Sequence, residues 1–164
     1  MDILVIISCI LFFGFVALSC YKFGLLDCYS AYGTQWDTIK ENSNLNWWTM
    51  VTIASALLMV PVLLEKSDGS NLQFTGFLAP VALVLVGITP QYNIDKFQWW
   101  LHQLGAWLAV LFVVLYMIFI GKSFIWMVIF VTIAGGLTIW KSTHWMLWFE
   151  TAIYACIYTV LLTW

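Results

Sequence analysis

Apolar residues run along this chain in long, nearly unbroken stretches, and its polar residues collect in the short intervals between them. Six stretches reach the ~17–25 residues a helix needs to cross a bilayer: residues 3–21, 47–64, 72–89, 97–120, 123–140 and 145–164. Only Gly121-Lys122-Ser123 parts the fourth from the fifth. A single helix through that point would set Lys122 in lipid, so two helices and a tight turn are predicted. Lys141-Ser142-Thr143-His144 makes the next short turn. Asp95 followed by Gln98 has the form of a capping box at the start of the fourth helix. Asn71, Ser123 and Ser142 or Thr143 are expected to cap the third, fifth and sixth. Pro61 falls near the end of the second helix and Pro80 in the middle of the third, while Gly135-Gly136 is expected to be a close-packing point in the fifth. The longest connection, residues 26–46, carries Tyr29, Tyr32, Trp36 and Asp37, and is expected to be a loop that caps the bundle. No internal repeat or low-complexity linker interrupts the pattern, so residues 1–164 are read as one domain.

Composition says what surrounds these helices. Hydrophobic residues make up 63% of the chain and charged residues 9%, against ~45–50% and ~25% in soluble domains. Too little polar surface exists to cover a soluble globule, so lipid is the outer solvent. The expected fold is an all-α polytopic transmembrane bundle of six helices. All six basic residues are lysines; with no arginine fork and no basic patch, nucleic-acid binding is excluded as a function. The opening Met-Asp-Ile-Leu lacks a basic n-region, so the first apolar run is expected to stay as a span. Lys22, Lys40, Lys96 and Lys141 fall near the face holding the first long connection, and Lys66 and Lys122 near the other. That margin leaves the orientation open. Cys9, Cys20 and Cys156 read as small apolar residues, while Cys28, in a loop, is the one candidate for redox chemistry or pairing.

Threaded this way, the strongly polar intramembrane residues gather toward one face. His102, Gln98, Gln103 and Glu150 lie there, with Trp36, Trp47, Trp48, Trp99, Trp100, Trp140, Trp145 and Trp148. Ionisable groups in hydrocarbon usually face a protein interior or a wet cavity, so a pocket open to that face is expected. His102 shares a helical stripe with Gln98, Gly105, Ala106 and Ala109. It is either a neutral cross-helix structural group or a ligand, proton or metal contact. Glu150 sits too deep to snorkel, and Thr151, Tyr154 and Tyr158 offer it hydroxyls on its own helix. Most tryptophans suit an interfacial belt, although Trp48 and Trp99 are candidates for a pocket wall. The candidate ligand-binding set is therefore His102, Glu150, Gln98, Gln103, Trp48, Trp99 and Tyr154. His102, His144 and Glu150 have no metalloprotease-like spacing, so no metal or other cofactor is expected.

Gly87-Ile88-Thr89-Pro90, followed by Leu101-His102 and Ala106, is similar to a pattern in six-span bacterial membrane proteins grouped with the damage-regulated autophagy modulator type. There a helix ends in Gly-x-x-Pro and a histidine comes early in the next span. The chain departs from the pattern after the proline, where Gln91 and Tyr92 replace an acidic residue. The resemblance covers one loop and two half-helices. It implies six helices, a role for His102 and a bacterial inner (cytoplasmic) membrane, and implies no activity.

Two classes of function follow. The first is a bundle whose pocket binds a lipid or other small amphipathic molecule; its catalytic variant, a membrane-embedded hydrolase or transferase, lacks a visible activated nucleophile. The second is a homo-oligomer or a subunit or effector of a membrane complex, including a defence- or lysis-type pore. The nearly polar-free residues 57–64, 110–120 and 128–133 argue against a pore through one copy. A transporter would need a repeat and broken helices that the sequence lacks.

Overall fold

The computed structural model describes residues 2–39, 47–89, 95–120, 124–140 and 142–163; for 37–39, 124 and 142 it describes the backbone alone. The expected Ser123 cap, the Lys122 and Lys141 turn residues and Pro90 to Tyr92 of the resemblance lie outside these. The only regular structure among the described residues is helical, with no strand. They form α1 (Asp2–Phe23), α2 (Tyr29–Ile39), α3 (Trp47–Lys66), α4 (Gln73–Gly87), α5 (Lys96–Phe119), α6 (Phe124–Trp140) and α7 (Trp145–Thr163), with a single 3-10 turn, Ser142–His144, leading into α7. Helices α1, α3, α5 and α7 are long and apolar enough to cross a membrane, whereas α4 and α6 are apolar but shorter. The chain is an all-α membrane protein.

Close approaches at glycine fix the order of the helices. A Cβ at Gly76 would meet the Leu63 carbonyl at 3.2 Å, and one at Gly87 would meet Thr52 at 3.2 Å, so α4 runs antiparallel along α3. One at Gly105 would meet Leu85 Cβ at 2.9 Å and the Ala82 carbonyl at 3.0 Å, which seats α5 on the other side of α4. Helix α1 packs against α3 and, less extensively, α7; α6 packs on α7; α5 touches α6 and α7 only lightly. Hydroxyls tie the first part of the ring together in mid-bundle. Ser8 donates to the Ser55 carbonyl at 2.9 Å and accepts from Tyr158 at 2.7 Å, joining α1, α3 and α7.

Three local expectations are corrected. The stretch read as a capping loop is largely a helix, α2, because Tyr29, Tyr32 and Trp36 recur at helical spacing and all pack inward. Tyr32 donates to the Gly24 carbonyl at 3.0 Å and accepts from Leu26 N–H, and Trp36 Nε1 donates to Ser19 at 2.9 Å, so α2 is laid down on the end of α1. The N-cap of α4 is Leu72, with no side-chain cap, and not Asn71; Ser70 Oγ instead accepts from Leu72 N–H at 3.2 Å. Gly135 and Gly136 have open space around them and are not a packing point, because α6 turns this face away from its neighbours. The Asp95 cap is present, its carboxylate accepting from Phe97 N–H at 2.9 Å.

Candidate functional site

Where α5 and α7 fail to close on each other, a cavity remains between α3, α4, α5 and α7, and α2 covers one end of it. Its volume is about 80 Å³, counted as space open to the centre of a water molecule, and a single water needs ~10–15 Å³ on that measure. The wall follows α4 from Ala79 to Val86, α5 from Ala106 to Val113 and α7 from Glu150 to Ile157. Each stretch rises ~10 Å at ~1.5 Å per residue, so the space is a slot lying along the helices. Ala79, Ala106 and Ala109 keep it open by being small. Pro80, inside α4, also faces it and brings no backbone N–H.

The slot is apolar along most of its length and polar at one end. Its hydrophobic part is lined by Met59, Leu63, Leu83, Val113, Ile153 and Ile157, and its polar end by Tyr29, Ser30, Trp48, Glu150 and Tyr154. That end is built where two helix starts satisfy each other. A helix's first N–H groups have no partner within the helix. The Tyr29 N–H, at the start of α2, donates to Glu150 Oε2 at 2.6 Å. The Leu147 N–H, in the first turn of α7, donates to the Asp27 carbonyl at 2.9 Å. Thr151 Oγ1 donates to the Leu147 carbonyl, so it accepts from the Tyr29 hydroxyl at 2.6 Å. Burial, partly opposed by that bond, holds the Tyr29 phenol above its usual titration range, so it stays a donor. His144 Nδ1 stands 3.4 Å from Asp27 Oδ1 at the outer edge of the same clasp. Phe12 stacks on Tyr154 at 4.0 Å between ring centroids and meets Tyr29 edge-on, closing the side toward α1.

Glu150 is therefore held by a backbone N–H from α2, rather than by a hydroxyl of its own helix. Its second oxygen, Oε1, has no hydrogen-bond partner among the described residues, and neither does the Tyr154 hydroxyl. Trp48 is buried, 2% exposed, and its Nε1–H likewise has no acceptor among them.

Of the seven residues singled out in the sequence, Trp48, Glu150 and Tyr154 are brought together at this polar end. His102, Gln98, Gln103 and Trp99 are not in the wall. His102 is buried at the end of α4, its Nδ1 3.0 Å from Thr89 Oγ1. Since Thr89 sits within bonding distance of the Leu85 and Val86 carbonyls, it serves as a donor there and as an acceptor for His102. That places His102 as a bridge between α5 and the end of α4, so the expectation that His102 and Glu150 border one cavity is corrected. Their separation is along the helices: the slot wall begins at Ala106 on α5 and ends at Val86 on α4, and His102 and Thr89 meet about one turn beyond it. Trp99 and Trp100 are 42% and 62% exposed and point outward, as belt residues do. Sequence reasoning missed Tyr29 and Ser30, although the helical spacing of Tyr29, Tyr32 and Trp36 carried the signal. Cys28 is buried with Sγ 3.2 Å from Ser30 Oγ, and no disulfide forms among the described residues. No three His, Cys, Asp or Glu side chains converge as a metal site among the described residues.

The chain has no match among protein-family models, curated proteins or solved structures.

Proposed function

We propose that this protein is a six-span membrane protein that binds a lipid or small amphipathic molecule in the slot between α3, α4, α5 and α7. The observation that carries the reading is the slot's own amphipathic lining. About 10 Å of apolar wall ends in the Glu150 carboxyl group and the hydroxyls of Ser30 and Tyr154. Such a wall matches a ligand with one apolar tail and one polar end. The narrow volume favours a single chain over a two-chain lipid. If the reading is right, native mass spectrometry of the detergent-extracted protein finds a bound species of single-chain lipid mass. Ala109→Leu, which fills the slot, loses that species while remaining folded. Equal retention by Ala109→Leu would overturn the reading.

Six spans are supported by the register of α4. Although only 15 residues long, it lies antiparallel along both α3 and α5, which are long enough to cross. Cysteine probes decide the point. With six spans, Asp68→Cys and Asp95→Cys label from opposite sides of the membrane. If α4 does not cross, both label from the same side.

A further inference from the structure

Resting on that reading, we infer that the ligand is a bilayer-resident lipid that enters the slot sideways, through the seam between α5 and α7, and not a water-borne amphiphile that enters past α2. The helices around the slot form a ring with one thin join. Along α4 the ring is shut by close approaches at Gly76, Gly87 and Gly105. Between α1 and α7 the gap is filled by the stack of Phe12 on Tyr154 and the hydrogen bond between Ser8 and Tyr158. Helix α1 in turn packs on α3. At the polar end α2 lays Tyr29 and Ser30 against the slot, and both are buried. That leaves α5 and α7, which touch only lightly. The Cys156 thiol and the Met117 thioether, 3.2 Å apart, join them beyond the apolar end.

The exposure of the wall has the same direction. On α3 and α4, Met59, Leu63, Ala79, Pro80 and Val86 are buried, and Leu83 is half-buried. On α5 and α7, Ala106, Val110, Glu150, Ile153 and Tyr154 are all half-buried. Val113 and Ile157, nearer the apolar end, are buried. The open part of the seam therefore runs beside residues 106–110 of α5 and 150–154 of α7. Trp107 and Leu111, next to Val110 along α5, are 72% and 50% exposed, so the mouth is rimmed by apolar side chains. Such a rim suits lipid tails and not water. A chain that enters from lipid exchanges one apolar surrounding for another. A chain that enters from water must first expose its tail, which disfavours it about fourfold for each methylene. Releasing α2 would add a second way out at the polar end.

The two sources are separated by exchange measurements on the unmodified full chain in nanodiscs. The probes are octanol and decanol, each ending in a trifluoromethyl group. The bound fluorine resonance is identified as the one that Ala109→Leu removes, and saturation transfer measures its exchange with the bilayer pool. Entry from lipid predicts rates for the two alcohols within about threefold of each other. Entry from water predicts about fifteenfold slower exchange for decanol, which carries two more methylenes. Val110→Ala and Ile153→Ala, which widen the two lips of the seam without filling the slot, should each speed entry severalfold. A fifteenfold difference between the alcohols, or exchange too slow to transfer saturation, would overturn entry from lipid. Unchanged entry rates in both lip variants would overturn the route between α5 and α7. Absence of any bound resonance that depends on Ala109 would instead remove the binding reading itself.

Discussion

Glu150→Ala is expected to release α2 from the bundle, whereas Glu150→Gln keeps it in place. The Glu150 carboxylate is the N-cap of α2, supplied by α7 across 121 residues of sequence. Losing a side-chain N-cap costs roughly 0.5–2 kcal/mol. Here the abandoned Tyr29 N–H is at a buried residue, where an unmet donor costs about 1–3 kcal/mol. Glutamine retains a carbonyl oxygen that can accept the same bond. Hydrogen exchange over residues 29–39 measures the effect directly. Glu150→Ala should raise exchange there by more than tenfold, with Glu150→Gln close to the unmodified protein. Since α2 closes the polar end of the slot, bound ligand should also leave faster from the alanine variant. Unchanged exchange in Glu150→Ala would mean that α2 is held by Tyr32 and Trp36 alone.

Gly105→Ala should be strongly destabilising, and Gly135→Ala should be harmless. At Gly105 the new carbon would stand 2.9 Å from Leu85 Cβ, 3.0 Å from the Ala82 carbonyl and 3.1 Å from Val86 N. None of these is the end of a flexible side chain, so α4 must move bodily. Overpacking of this kind costs ~1–3 kcal/mol, more than the ~1 kcal/mol an alanine gains in helix propensity. At Gly135 nothing lies within 4 Å, and only the propensity gain remains. Thermal unfolding in detergent should show the melting point of Gly105→Ala falling by several degrees and that of Gly135→Ala level or slightly raised. Two shifts of the same sign would contradict the α4–α5 contact.

The helical stretches were legible because lipid imposes long apolar runs, and all six expected ones begin and end within a few residues of a helix. Asp95 was legible for a local reason, since a cap is set by its immediate neighbours. What escaped the sequence was long-range. Glu150 stood out as an intramembrane carboxyl, yet nothing near it in sequence could announce that its partner is the backbone of Tyr29. His102 and Glu150 looked alike by depth, and depth is all that a linear threading gives. The register of α4 against α5, set by Gly105 on Ala82 and Leu85, brings His102 beside Thr89 just past the end of the slot, while Glu150 lies in its wall. The helix α2 was missed for another reason. Its Tyr29, Tyr32 and Trp36 pattern is helical, but it is short and polar beside six long apolar stretches, and length dominated the reading.

Photolabelling tests the intramembrane slot most directly. An alkanol carrying a diazirine at the far end of its chain is activated in the presence of the full protein in nanodiscs, and the labelled residues are mapped by peptide mass spectrometry. Met59 and Leu57 are two positions apart on α3; the first is buried in the slot wall and the second is 58% exposed on the outer surface. A chain held in the slot labels Met59, with Leu63, Val113 or Ile157 beside it, and an excess of unlabelled alkanol competes this labelling away. Labelling confined to Leu57 and other outward residues such as Leu111 and Ile133, unaffected by competitor, would show that the chain only meets the protein from the surrounding lipid.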